Sequence, residues 1–212
     1  MIKAIIFDFD GTLTELTLGL KKAREEILSI GRKYVAEGPL QDCEAFFVLD
    51  TIYAIEAKCG SSGPAFKKEA FERLTELELE AARGKDLFPY TRGLLKEVRE
   101  RGIKIAILTR SCREALLRVF PDMMDYVDAV VTREDVEYVK PHPSHVEKTL
   151  FILGVGRDET MIVGDEKIDI LAGKALNITT IGVLTGSFEK RGFEEVEPAY
   201  IVRDVRDILA LL

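Results

Sequence analysis

The chain has 212 residues, of which 47% are hydrophobic, and this is enough for an α/β core plus a smaller unit. Its net charge of −7 comes from interspersed acids and bases, so we expect no nucleic-acid partner. No apolar run is long enough to cross a bilayer and none resembles a signal peptide, so we expect no membrane partner. Cys43, Cys59 and Cys112 lack metal-ligand spacing, and such scattered thiols are typical of a cytoplasmic protein.

Residue usage adds two expectations. The only histidines are His142 and His145, which disfavours a histidine nucleophile or a zinc site. Charged residues make up 32% of the chain, while Asn177 is the only asparagine and Gln41 the only glutamine. That bias is typical of proteins selected at high temperature, so we expect a thermophilic source.

The first predicted element is a buried strand that ends in two acids. Ile5-Ile6-Phe7 is followed by Asp8 and Asp10, and alternation along a strand places both carboxylates on one side. Gly11 allows the chain to turn away, which leaves the acids at the carboxyl end of the strand. Asp and Gly are also common in surface turns, so this segment alone fits either a site or a turn.

Helical spacing replaces the strand pattern over the next part of the chain. Apolar residues recur at helical intervals over residues 16–36, 41–58 and 66–83. We therefore predict a helical cap domain at 15–85, inserted into an α/β core formed by 1–14 and 86–212. A purely structural role for the helical insertion is the alternative.

Alternating strands and helices return after residue 90. Strands are predicted at 103–108, 127–131, 159–163, 178–183 and 200–202, and helices at 91–101, 111–118, 144–153, 167–175 and 204–212. Short crossovers of this kind give a right-handed, doubly wound parallel sheet. The predicted class is therefore α/β.

Three later segments carry further polar groups near strand ends. Thr109 ends one strand, Lys140 stands before the first of two prolines, and Asp165 ends another strand, with Asp169 four residues on. Each has an ordinary explanation: a structural threonine, a solvated lysine, and acids that favour a helix N-terminus. Four unrelated explanations for polar residues at these positions are less plausible than one, so we expect these side chains to form one site.

These motifs resemble those of the haloacid dehalogenase superfamily of phosphohydrolases. D-F-D-G-T from Asp8 matches the first family motif, and Thr109 matches the second. Lys140 in K-P-H-P matches the third, and G-D-E-K-I-D, which contains Asp165 and Asp169, matches the fourth. With the closing strands, the resemblance covers nearly the whole chain.

The resemblance implies a role for each acid. Asp8 would be the nucleophile that forms an aspartyl-phosphate, and Asp10 would protonate the leaving oxygen and then activate water. Mg²⁺ would be the cofactor, bound by Asp8, the backbone carbonyl of Asp10 and Asp165. Asp169 would support the site through water or by orienting Lys140.

The remaining motif residues would bind the phosphoryl group. Thr109 would donate a hydrogen bond to it and Lys140 would balance its charge, while backbone amides around Gly11, Thr12 and Thr109 could complete an anion cradle. Family members that cleave carbon–halogen bonds lack an acid at the position of Asp10. Its presence therefore favours a phosphatase or phosphomutase.

Two positions depart from the family pattern. Glu166 replaces a small residue, and it could adjust the metal site or face solvent; the usual exposure of glutamate favours solvent. Arg110 replaces a frequent asparagine, and it could bind an acidic substrate or form a surface salt bridge.

The sequence thus predicts a Mg²⁺-dependent phosphatase of the phosphoglycolate phosphatase type, acting on a small phosphorylated metabolite. A sugar-phosphate mutase on the same scaffold is the first alternative, and a receiver-type signalling domain is a remote one. The substrate and the oligomeric state are not encoded in a recognisable motif.

Overall fold

The computed structural model describes residues 1–36, 38, 40, 42–43, 47–186 and 190–212. The chain divides into two compact units. The core unit consists of Met1–Leu16 and Gly84–Leu212, and the helical unit consists of Thr17–Arg83.

A six-stranded parallel sheet forms the centre of the core unit. Its strands are β1 (Ala4–Phe7), β2 (Lys104–Leu108), β3 (Ala129–Val131), β4 (Thr160–Gly164), β5 (Thr179–Val183) and β6 (Tyr200–Val202). The spatial order is β3-β2-β1-β4-β5-β6, with every neighbouring pair parallel. Phe7 at the end of β1 is in register with Ile107 and Val163, so the carboxyl ends of the three central strands meet at one edge.

Among the residues that the structure describes in the helical unit, three long helices pack on one another. They are α1 (Leu20–Gly31), α2 (Val48–Lys58) and α3 (Gly63–Ala81). Ile27, Ile52, Ile55 and Phe66 are completely buried, and the rings of Tyr34 and Phe66 meet edge to face at 5.6 Å. The unit therefore has an apolar core of its own. Positions 41 and 44–46 of the predicted second helix lie outside the described residues.

Helices cover both faces of the sheet. The α-helices that the structure describes in the core unit are α4 (Thr91–Glu100), α5 (Arg113–Val119), α6 (Pro143–Leu153), α7 (Lys167–Lys174) and the short α8 (Lys190–Glu194). On one face, α6 packs on β2 and β3 and α7 packs on β4 and β5, whereas α4 contacts β2 and the closing turn Val205–Leu211. Burial on both faces explains the uninterrupted apolar runs of β1 and β4. The predicted doubly wound parallel sheet is confirmed.

The end of the chain differs from the prediction of a regular closing helix. Residues Val205–Leu211 form a 3-10 helix, capped by the Asp204 carboxylate, which accepts the N–H of Arg206. Val205 and Ile208 are both fully buried, and their three-residue spacing places them in line on a 3-10 helix. In the described part of the chain, no helix combines the length and apolar character needed to span a membrane.

Candidate active site

Asp8 lies where β1 leaves the sheet. Its backbone N–H donates to the carbonyl of Val163 at 2.8 Å, which continues the ladder to β4 by one residue. The chain then turns tightly: Gly11 has φ +84° and its N–H donates to the carbonyl of Thr14 at 2.8 Å. A side chain is strained at such a φ, which accounts for glycine here. The turn leaves Asp8 buried at the edge where the three strands end.

Lys140 is the electrostatic centre of this edge. Its side chain is 2% exposed, and Nζ donates at 2.6 Å to Asp8 Oδ1 and at 2.6 Å to Asp169 Oδ1. The ammonium group also donates a third hydrogen bond, to the carbonyl oxygen of Leu108 at 2.9 Å. An ammonium group has three donors, and all three are satisfied here. Lys140 is therefore fixed between two carboxylates.

Asp165 brings a third buried carboxylate to the same place. Its Oδ1 accepts the hydroxyl of Thr12 at 3.2 Å, while Oδ2 is buried without a hydrogen-bond partner. The backbone approaches so closely that a Cβ on Gly11 would lie 2.2 Å from Oδ2, and one on Gly186 would lie 1.7 Å from it. The backbones of two glycines thus pack directly against an unpartnered oxygen.

The three carboxylates perturb one another. Burial raises the pKa of Asp8 and that of Asp165 above the usual range, and in each case neighbouring carboxylates add to the effect. Burial alone would lower the pKa of Lys140, but Asp169 and Asp8 outweigh it, so the net pKa is raised. Lys140 offsets only part of the negative charge of the three carboxylates, so a surplus of negative charge remains.

This surplus fits a divalent cation. Oxygen atoms of Asp8, Asp165 and Asp169 all lie within 4.8 Å of one another. Carboxylate oxygens are the ligands that Mg²⁺ prefers, and the unpartnered Oδ2 of Asp165 supplies a donor that the protein leaves unused. Asp169 is already engaged at both oxygens, by Lys140 and by the N–H of Glu166 at 3.1 Å.

Asp10 follows two residues after Asp8, and each of its carboxylate oxygens has a hydrogen-bond partner. Lys85 Nζ donates to Oδ1 at 2.6 Å, and the hydroxyl of Ser111 donates to Oδ2 at 2.7 Å. Ser111 also donates its backbone N–H to the Thr109 hydroxyl oxygen at 3.0 Å. The hydroxyl hydrogen of Thr109 remains available as a donor.

Three backbone amides at the positions of the predicted anion cradle have partners within the protein. The N–H of Gly11 donates to Thr14, that of Thr12 to the Phe9 carbonyl, and that of Thr109 to the Val131 carbonyl. Turn and sheet hydrogen bonds therefore occupy all three, and an anion cradle from the amides around Gly11 and Thr109 stays a prediction.

Glu166 and Arg110 occupy the rim of the site. The expectation that Glu166 faces solvent is wrong, because it is half-buried at the N-terminus of α7. Burial and the nearby Asp169 raise its pKa to about 7. Arg110 is half-buried as well, and its carbonyl accepts Arg133 Nη1 at 3.3 Å.

Three residues that support the site were not predicted from the sequence. Lys85 and Ser111 hold Asp10, and His145 accepts the backbone N–H of Lys140 at 3.1 Å through Nδ1. Lys85 and Asp10 are 75 positions apart. Ser111 lies two residues after Thr109 and His145 two residues after K-P-H-P, so only their closeness to these motifs could have pointed to them, and Lys85 has no such neighbour.

Comparison with known proteins gives a family match over most of the chain. The family described as haloacid dehalogenase-like hydrolase matches residues 5–183. Pyrophosphatase PpaX of Oceanobacillus iheyensis is 24% identical over 214 residues, covering 100% of this chain and 97% of that protein. Phosphoglycolate phosphatase of Photorhabdus laumondii is 26% identical over 219 residues, covering 100% and 92%.

Solved structures share the fold. A hydrolase from Pseudomonas syringae has a TM-score of 0.77 at 22% identity, covering 98% of this chain and 96% of that one. CbbY from Rhodobacter sphaeroides, in complex with phosphate, has a TM-score of 0.68 at 20% identity, with the same coverage of 98% and 96%.

Proposed function

Because the chain belongs to the haloacid dehalogenase-like hydrolases, we propose that it is a Mg²⁺-dependent phosphatase of small phosphate monoesters. The observation that carries the proposal is the buried group formed by Lys140, Asp8 and Asp165. It joins a carboxylate that can attack phosphorus, a cation that fixes it, and an unpartnered oxygen suited to a metal.

The first step is transfer of the phosphoryl group to Asp8. A carboxylate oxygen of Asp8 attacks the phosphorus as the bond from phosphorus to the leaving alkoxide oxygen breaks. That oxygen takes a proton from Asp10, so the products are an aspartyl-phosphate and a neutral alcohol. Lys140 and the Thr109 hydroxyl stabilise the negative charge on the transferred group.

The second step releases phosphate. Asp10, now a carboxylate, accepts a proton from a water molecule as the water oxygen attacks the phosphorus. The bond between phosphorus and the Asp8 oxygen breaks, which returns Asp8 as a carboxylate and gives inorganic phosphate. Asp10 is again protonated and ready for the next substrate.

Mg²⁺ would be held by the carboxylates of Asp8 and Asp165 and, by the family resemblance, the carbonyl of Asp10. When bound, it would supply positive charge that offsets the negative charge of the phosphoryl group in the reaction. Asp169 supports the site by holding Lys140.

The test is phosphate release from p-nitrophenyl phosphate by the EDTA-treated chain, with and without added Mg²⁺. We expect activity only with the metal, and Asp8→Asn should lower kcat at least about a thousandfold. Asp122→Asn is the matched control, since Asp122 pairs with Arg92 on the surface of the core unit and should keep full activity. Equal activity in EDTA, or a phospho-adduct on a residue other than Asp8, would refute the proposal.

The names of the related enzymes indicate which substrates to test first. One is called a pyrophosphatase and another a phosphoglycolate phosphatase, so both compounds belong in a panel scored by kcat/KM. Sugar phosphates belong there too, and isomerised product in place of free phosphate would indicate a mutase. We propose that the helical unit acts as the cap that selects among them.

A further inference from the structure

Lys85 is an almost completely buried cation that the proposed chemistry does not use. Its side chain is 5% exposed, and its ammonium donates to Asp10 Oδ1 at 2.6 Å. Burying a charge is costly unless an opposite charge accompanies it, so the contact is a strong constraint on both groups. The ring of Phe9 lies beneath the ammonium, with its centroid at 5.9 Å.

The backbone around Lys85 is fixed to the same turn that carries Asp10. The Thr14 hydroxyl donates to the Asp86 carbonyl at 2.6 Å, and the N–H of Phe88 donates to the Leu13 carbonyl at 3.0 Å. Thr14 and Leu87 also form an isolated antiparallel bridge. Lys85 therefore lies beside a segment that is hydrogen-bonded to residues 13 and 14, close in sequence to Asp10.

The second oxygen of Asp10 is held from a different element. Ser111 follows β2, and its hydroxyl donates to Oδ2 at 2.7 Å. Donors on both oxygens, from two separate segments, leave the carboxyl group of Asp10 one orientation. A salt bridge needed only for stability would not require the hydroxyl of Ser111 on the other oxygen.

We propose that Lys85 and Ser111 are positioning residues, which aim the carboxyl group of Asp10 at the leaving oxygen of the substrate. This inference rests on the proposed function, because it assigns a role within that reaction. Neither residue transfers a proton itself. A misplacement of about 1 Å in a proton-transfer group can cost on the order of 100-fold in rate.

Two substrates with different leaving groups distinguish a misplaced Asp10 from general damage to the site. An alkyl phosphate expels a strongly basic oxygen that needs a proton, whereas p-nitrophenyl phosphate expels a stable anion that does not. The quantity to compare is kcat/KM, since it reports on the steps through release of the alcohol. The metal is Mg²⁺ at one saturating concentration for all proteins.

For Lys85→Met we expect kcat/KM for the alkyl ester to fall about 100-fold, while that for p-nitrophenyl phosphate stays within about threefold. Ser111→Ala removes one hydroxyl and should produce the same selective loss, which keeps the test decisive if Lys85→Met does not fold. Lys104→Met is the control, because Lys104 donates at 2.6 Å to the Leu153 carbonyl at the opposite end of β2. It should leave both values unchanged.

Equal losses for both esters in either variant, or no loss for either, would overturn the positioning role. A wild-type chain that hydrolyses neither ester would instead refute the proposed function. The two failures are therefore distinct.

Discussion

Replacing His145 with asparagine should remove a pH dependence from the stability of the chain. The His145 side chain is completely buried, and Nδ1 accepts the backbone N–H of Lys140. Nε2 is buried without a hydrogen-bond partner. Burial, together with the positive charge of Lys140, lowers the pKa of His145 from 6.5 to about 3. The folded chain therefore keeps this histidine neutral at pH values where the unfolded chain protonates it.

The sign and size of the effect follow from linkage. Below the unfolded pKa of 6.5, the unfolded state binds a proton that the folded state does not, so acid favours unfolding. Each pH unit in this window costs about 1.4 kcal/mol, which gives about 2 kcal/mol at about pH 5. Above pH 6.5, His145 is neutral in both states, so it no longer makes the free energy of unfolding depend on pH.

The measurement is urea unfolding followed by circular dichroism, in EDTA, at about pH 7.5 and about pH 5. Asparagine retains a side-chain oxygen that can accept the Lys140 N–H, and it does not titrate. Both proteins share every other ionisable group, so the difference between their free energies of unfolding isolates His145. That difference should move by about 2 kcal/mol in favour of the variant at the lower pH. A difference that stays constant would mean that folded His145 accepts a proton, and the reasoning would be refuted.

Three other perturbations have defined outcomes. Asp165→Asn removes an acid whose charged form is disfavoured by burial and by Asp8, so it should raise the metal-free melting temperature and abolish the increase that Mg²⁺ gives the wild type in calorimetry. Gly186→Ala would put a Cβ 1.7 Å from Asp165 Oδ2, so it should lower Mg²⁺-dependent kcat about 100-fold. Gly93→Ala in α4 is the control: its Cβ would meet no atom within 4 Å, and it should keep full activity in the same assay. Phe66→Ala empties a fully buried position of the helical unit and should cost about 3–5 kcal/mol in urea unfolding; a loss below about 1 kcal/mol would contradict the packing described.

The sheet could be predicted because its strands are short apolar runs buried on both faces. Periodicity located all six strands, and the rule that parallel strands share a carboxyl edge predicted that Asp8, Thr109 and Asp165 would gather there. The chemical roles assigned to these residues stay predictions. The family membership and its hydrolase class are confirmed.

Other features depend on contacts that no local pattern encodes. Lys85 lies in an ordinary charged segment, and only the three-dimensional pairing with Asp10 distinguishes it from a surface lysine. The burial of Glu166 was missed because glutamate is usually exposed, and only the neighbouring acids reveal that its surroundings are unusual. The closing 3-10 helix was predicted as a regular helix because a seven-residue apolar pattern fits both periods.

The position of β1 in the middle of the sheet has a consequence for how the protein is made. β1 leaves the ribosome before both of its neighbours, β2 and β4, which lie far downstream in the chain. Until β4 emerges, a nascent chain exposes one hydrogen-bonding edge of β1, and Asp8 has no Asp165 beside it. The proposed active site therefore forms late in synthesis, and chains released early would carry Asp8 without Asp165 beside it.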